Sequence, residues 1–112
     1  ALGNFSECKN LRLLSLDDTP IGDAGLAHFA ECQSLTHVYL NNTRVSDTGL
    51  AHLKNCKNLL HLSLAGTKVR GPGLVHLKGC KFLTHFGLKD TKADDAYLDT
   101  FKECKNIQVL NL

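Results

Sequence analysis

The sequence has no tryptophan, no methionine and only two tyrosines. That scarcity removes the aromatic platforms on which single-stranded nucleic acids are usually stacked. Neither sign of charge is in real excess, since 13 Lys and Arg stand against 11 Asp and Glu for a formal +2 at pH 7. Such a balance does not by itself favour nucleic acid or a membrane surface. No apolar run approaches the roughly 18 residues that a spanning helix needs, and no charged-then-apolar leader opens the chain. A soluble chain is expected, with neither nucleic acid nor membrane among its partners. At 112 residues and 43% hydrophobic, the chain holds enough for one small core-forming domain and too little for two.

What the sequence does have is cysteine, evenly placed. Cys8, Cys32, Cys56, Cys80 and Cys104 each follow the last by 24 residues. An odd count leaves one thiol unpaired, and zinc-type C-x2-C spacing is missing, so neither a disulfide framework nor a zinc site is expected. An even interval instead gives each cysteine the same place in a repeated unit. The full units run over 9–32, 33–56, 57–80 and 81–104, with partial units at 1–8 and 105–112. Both ends fall within a repeat, so residues 1–112 are read as one domain cut from a longer array. Ends without a polar cap are expected to favour self-association.

Each unit opens with Leu11, Leu35, Leu59 or Leu83. Three residues on stand Leu14, Val38, Leu62 and Phe86, followed after two more by Leu16, Leu40, Leu64 and Leu88. That alternation predicts a short strand with one buried face. The second half of the unit has helical spacing, in the pairs Leu26 with Phe29, Leu50 with Leu53, Leu74 with Leu77 and Leu98 with Phe101. Asp23, Asp47 and Asp95 precede these pairs as expected N-caps, and the third unit substitutes Gly71 and Pro72, which also suit a helix start. No single unit can bury a core, so stacking must supply one, with parallel strands on one side and helices on the other.

The run from Leu59 to Thr67 has the form LxxLxLxxT and resembles the leucine-rich repeat signature. The downstream TxVxDxGLxxLxxC is similar to the cysteine-containing subclass, and the 24-residue, Thr-bearing version is similar to long bacterial arrays of the planctomycete kind. Most family repeats carry Asn or Cys where this chain has Thr. The last full unit departs further, with Tyr97 at the glycine position and Ala93 at the valine position. The resemblance implies an α/β fold: a right-handed leucine-rich repeat solenoid with its parallel sheet on the concave face and short helices on the convex face. It also implies protein binding, with no shared catalytic residue and no cofactor. Some relatives of these kinds sit beside signalling domains or act as ubiquitin-ligase receptors, and nothing in the residues selects among such contexts.

The alternation places Leu13, His37, His61, His85 and Val109 in one outward column of the sheet, with Ser15, Tyr39, Ser63, Gly87 and Asn111 in the next. Strands about 4.8 Å apart would stack the three histidines as a ladder. Imidazoles at that separation can share a metal ion, yet no carboxylate is in view to orient them, so a partly polar floor is the simpler reading and no metal is assigned. Joint protonation should be resisted, giving some pH sensitivity. Tyr39 is the expected partner anchor, because tyrosine offers a large contact area and a hydroxyl. Around it, Asp17, Asp18, Asn41, Asn42, Lys89 and Asp90 form a polar rim that favours a basic segment near the first full repeat.

The expected partner-binding set is therefore Tyr39, His37, His61, His85, Asp17, Asn41, Ser63 and Lys89, taking a protein or peptide of unknown identity. A spacer role within a larger protein is the alternative, and variation from Ser15 through Tyr39 to Gly87 leans toward binding. Other columns carry less. His28, His52 and His76 fall on the helices, and Lys9, Lys57, Lys81 and Lys105, with Arg44, Lys68 and Lys92, read as solvated surface. Thr19, Thr43, Thr67 and Thr91 have no accompanying His–Asp relay, so they are assigned to hydrogen bonding within the loops and no catalytic residue is named. The cysteines are assigned to the interior, with only Cys8 or Cys104 expected to react readily, and free thiols favour a reducing compartment such as the cytoplasm.

Overall fold

Three-residue strands form wherever the Leu-x-Leu alternation occurs: β1 Leu13–Ser15, β2 His37–Tyr39, β3 His61–Ser63, β4 His85–Gly87 and β5 Gln108–Leu110. The computed structural model describes residues 8–93, 101–102 and 104–110. Across these the strands make one parallel sheet in the order β1-β2-β3-β4-β5. The first three pairings hold a register of one repeat, as in His37 opposite His61 and His61 opposite His85. The backbone ladder continues past the strands, for example from the Asn42 N–H to the Ala65 carbonyl at 2.8 Å.

β5 departs from this register. Gln108 lies opposite His85, and Val109 lies opposite Phe86, so the expected place of Val109 in the histidine column is corrected. A one-residue slip exchanges the faces of a strand. Val109 and Leu110 are both apolar, so their pattern does not choose between registers, and the polar Gln108 takes the exposed position. Asn111, Asp95, Tyr97 and Leu98, like the side chain of Cys8, lie outside the described residues.

Opposite the sheet, the first two full units carry one α-turn followed by a 3-10 turn: α1 Asp23–Leu26 with Ala27–Phe29, and α2 Asp47–Leu50 with Ala51–Leu53. In the third unit Pro72–Leu77 is 3-10 throughout. The expected N-cap role of Asp23 and Asp47 is corrected. They occupy the first helical position, and their carboxylates reach to the next repeat instead of closing their own helix. Asp47 accepts from the N–H groups of Arg70 at 3.0 Å, Gly71 at 3.1 Å and Gly73 at 2.9 Å, so it caps the following helix. Asp23 likewise accepts from the Ser46 N–H at 2.8 Å and from its hydroxyl. Gly71 takes φ +127°, a backbone region that glycine alone enters freely.

Between sheet and helices, one repeat buries Leu35, Val38, Leu40, Val45, Leu50, Leu53 and Cys56, and the next repeats the set. Phe86 fills a larger share, its ring 4.8 Å from that of Phe101. Two polar ladders line this core. Thr19, Thr43, Thr67 and Thr91 donate their hydroxyls to the carbonyls of Leu16, Leu40, Leu64 and Leu88 at 2.7–2.8 Å. The thiols of Cys56, Cys80 and Cys104 donate to the carbonyls of Cys32, Cys56 and Cys80 at 3.5, 3.4 and 3.2 Å.

Cys104 is buried along with Cys32, Cys56 and Cys80, which corrects the expectation that it would react readily. Burial, and next the neighbouring Cys56 and Cys104, push the Cys80 thiol up to about 12. Since the thiolate is the nucleophile, Cys32, Cys56, Cys80 and Cys104 are expected to label with a thiol reagent only as the chain unfolds. Fast stoichiometric labelling of these four under native conditions, followed by mass spectrometry, would contradict the buried ladder.

Candidate functional site

Residue identity at the strand ends follows from backbone geometry. Asp18, Asn42, Gly66 and Asp90 hold equivalent positions with φ of 62°, 59°, 70° and 60°. These are the residue types that tolerate the left-handed region. One position earlier, Asp17 accepts from the Asn41 N–H at 2.8 Å, and Asn41 accepts from the Ala65 N–H at 2.9 Å. This column therefore joins one repeat to the next, a role that reading it as a partner rim did not supply. The left-handed column has a sequence signal, the run of Asp18, Asn42, Gly66 and Asp90 at a constant offset, whereas the Asp17 and Asn41 column has none.

The histidine ladder forms. Ring centroids of His37 and His61 are 4.5 Å apart, and those of His61 and His85 are 4.3 Å apart, tilted by 37° and 31°. Thr36 and Thr84 lie within hydrogen-bond reach of Nδ1 of His37 and His85, at 2.8 and 2.9 Å, and each hydroxyl also reaches the carbonyl of the preceding repeat at 3.1 Å. Leu60 stands where these threonines do, so the His61 ring has no such tether. Burial, then the charge of His37 and of His85 when protonated, hold His61 below the usual histidine range. Among the described residues no three His, Cys, Asp or Glu side chains are grouped so as to hold a metal ion.

A groove of about 450 Å³ opens on the concave face. Its size falls in the range of ordinary ligand sites. Ser63, Ala65 and Gly87 make a low floor, because the column that carries Tyr39 in the second full unit carries small residues in the next two. Tyr39 and Asn41 border it on one side, His61 and His85 on another, and Lys89 and Asp90 at the strand ends. Six of the eight expected partner residues are thus brought together: Tyr39, His61, His85, Asn41, Ser63 and Lys89. His37 is adjacent through the ladder, and Asp17 lies outside the lining. The part missed in the sequence is the floor, whose signal was the absence of a side chain at Gly87.

The convex side offers less relief. His28 is exposed, while His52 and His76 are half-buried in their 3-10 turns. Among the described residues no helix is long and apolar enough to cross a membrane.

Comparison with known proteins agrees with this geometry. Residues 7–30 and 31–53 match the family model described as Leucine Rich repeat. Among solved structures, internalin C2 from Listeria monocytogenes superposes with a TM-score of 0.80 at 24% identity, covering 93% of this chain and 43% of that one. An internalin (inlF) from the same species gives 0.58 at 16% identity, covering 90% and 34%. No curated protein sequence is matched. The chain spans less than half the length of either internalin structure. The parallel sheet, the helical turns opposite it in the first three full units, the match over residues 7–53 and the superpositions together show the fold of a leucine-rich repeat solenoid.

Proposed function

We propose that this chain is a non-catalytic protein-interaction module that docks a segment of another protein on its concave sheet. The groove floored by Ser63, Ala65 and Gly87 and bordered by Tyr39 carries this reading. It offers what an anchored interface needs, an aromatic beside a depression with polar groups at its margin. His37, His61 and His85 extend the contact surface along the ladder, and Asn41 and Lys89 serve as polar contacts at its end. Asp17 acts by holding Asn41 in place. The buried thiol ladder supports placing these repeats in the cysteine-containing kind.

Panning a displayed random-peptide library on the immobilised chain is expected to yield binders whose affinity falls about thirty-fold on Tyr39→Ala, a loss near 2 kcal/mol. Gly87→Tyr, which raises the groove floor, is expected to abolish the same binding without loss of stability, since β2 already carries Tyr39 at the equivalent position. Binders indifferent to both substitutions would contradict docking at this groove.

A further inference from the structure

The groups facing the groove are rich in hydrogens and poor in acceptors. Asn41 is fixed in one amide orientation, because its Oδ1 takes the Ala65 N–H at 2.9 Å and the Ser63 hydroxyl at 2.6 Å. Among the described residues Nδ2 meets no acceptor, and the Ser63 hydrogen is already used. Tyr39 adds a hydroxyl and the exposed Lys89 an ammonium. Asp90 is the one acid among the described lining residues, and it lies exposed at the outer edge. The acids that were expected to favour a basic segment are engaged elsewhere: Asp17 with the Asn41 N–H, and Asp18 with Asn42 Nδ2 at 2.8 Å.

The imidazoles add a charge that depends on pH. His61 faces His37 from β2 and His85 from β4, and Tyr39 stands 6.3 Å from His37. Beyond the ladder, Leu13 on β1 and Gln108 on β5 occupy its two ends, both uncharged, while Lys89 and Asp90 are the ionised groups nearest the groove. Among the described residues no carboxylate is bonded to His37, His61 or His85. An anion lowered onto the ladder would favour the charged form of His61 against the burial and the neighbouring imidazole charge that hold it below the usual histidine range.

We infer that the groove receives an aspartate or glutamate side chain from an extended segment of a protein partner, with Asn41 Nδ2, Tyr39 and Lys89 as its donors and the His61–His85 pair taking up a proton as the carboxylate arrives. This rests on the docking reading above and adds the partner's charge and a proton to it. Linkage fixes the direction. If the bound carboxylate favours the charged imidazole, a lower pH must favour the bound carboxylate. Binding tightens as pH falls through the histidine range and weakens as pH rises.

The test sequences the binders obtained by panning random octapeptides, displayed internally so that no chain terminus is presented, at about pH 6. The expected result is enrichment of Asp or Glu at one position. A binder of that class should lose about tenfold in affinity when its acid is changed to the amide, and about fivefold between about pH 6 and about pH 7.5. The double variant His61→Gln and His85→Gln should bind with the pH dependence removed. Enrichment of Lys or Arg, enrichment without an acidic position, or an affinity independent of pH would overturn this inference and leave the docking groove standing. Failure to select any binder sensitive to Tyr39→Ala would overturn the docking reading as well.

Discussion

Phe86→Ala is expected to destabilise the chain by about 3–5 kcal/mol, the largest effect of any single truncation considered. The Phe86 side chain is wholly buried in β4, and its ring meets Phe101 at 4.8 Å, so removal leaves a cavity inside the unit 81–104. No other strand supplies an aromatic at this buried position, where Leu14, Val38 and Leu62 stand in the earlier units. Neighbours of that size cannot collapse into the gap without breaking the strand register. A small domain commonly has only about 5–15 kcal/mol in hand, so the variant should lie near its unfolding threshold. Urea unfolding followed by circular dichroism measures the loss, and a change under about 1 kcal/mol would mean that this part of the core is not packed as described.

Gly73→Ala is expected to cost about 3 kcal/mol through a different mechanism, a clash with backbone. A Cβ at Gly73 would stand 2.6 Å from Cα, Cβ and the carbonyl oxygen of Asp47. None of these atoms can swing aside, since α2 is held by its own repeat. Separating the two helical turns would also pull the Gly73 N–H from the Asp47 carboxylate and undo the cap that joins them. Gly79→Ala is the matched control, because the nearest atom to its added methyl is Lys57 Cε at 3.6 Å. The control should change stability by less than about 1 kcal/mol, and equal effects at both glycines would refute the close approach.

These two substitutions divide what sequence makes visible from what it does not. The period of 24, the strand alternation, the Thr hydrogen bonds and the buried cysteines all depend on residues that recur, and recurrence can be read in one dimension. The contacts between repeats depend on a residue of one unit meeting a different position of the next. Asp47 could be seen as a cap, but only the stacking shows that it caps the helix after its own. Asp17 and Asn41 read in the sequence as a partner-facing rim because their actual partners are backbone N–H groups, which have no identity in a sequence. The slip in β5 has the same origin, since two adjacent apolar residues satisfy either register.

The groove lies between these cases. Tyr39 and the histidines were legible as outward columns, because period two assigns faces without knowledge of the neighbours. Its depth was not, since depth is a difference between repeats: Tyr39 in one, Ser63 and Gly87 in the next two. Near-identity therefore builds the solenoid, while departures from identity make one stretch of its concave face unlike the rest.

The most direct test of concave docking is a backbone amide NMR map of the isotope-labelled chain with a panned peptide bound. Docking at the groove predicts the largest shifts at Tyr39, Asn41, His61, Ser63, His85, Gly87 and Lys89, with small shifts on the helical side. Shifts concentrated instead around His28, His52 and His76 would place the interaction on the convex face and contradict the account.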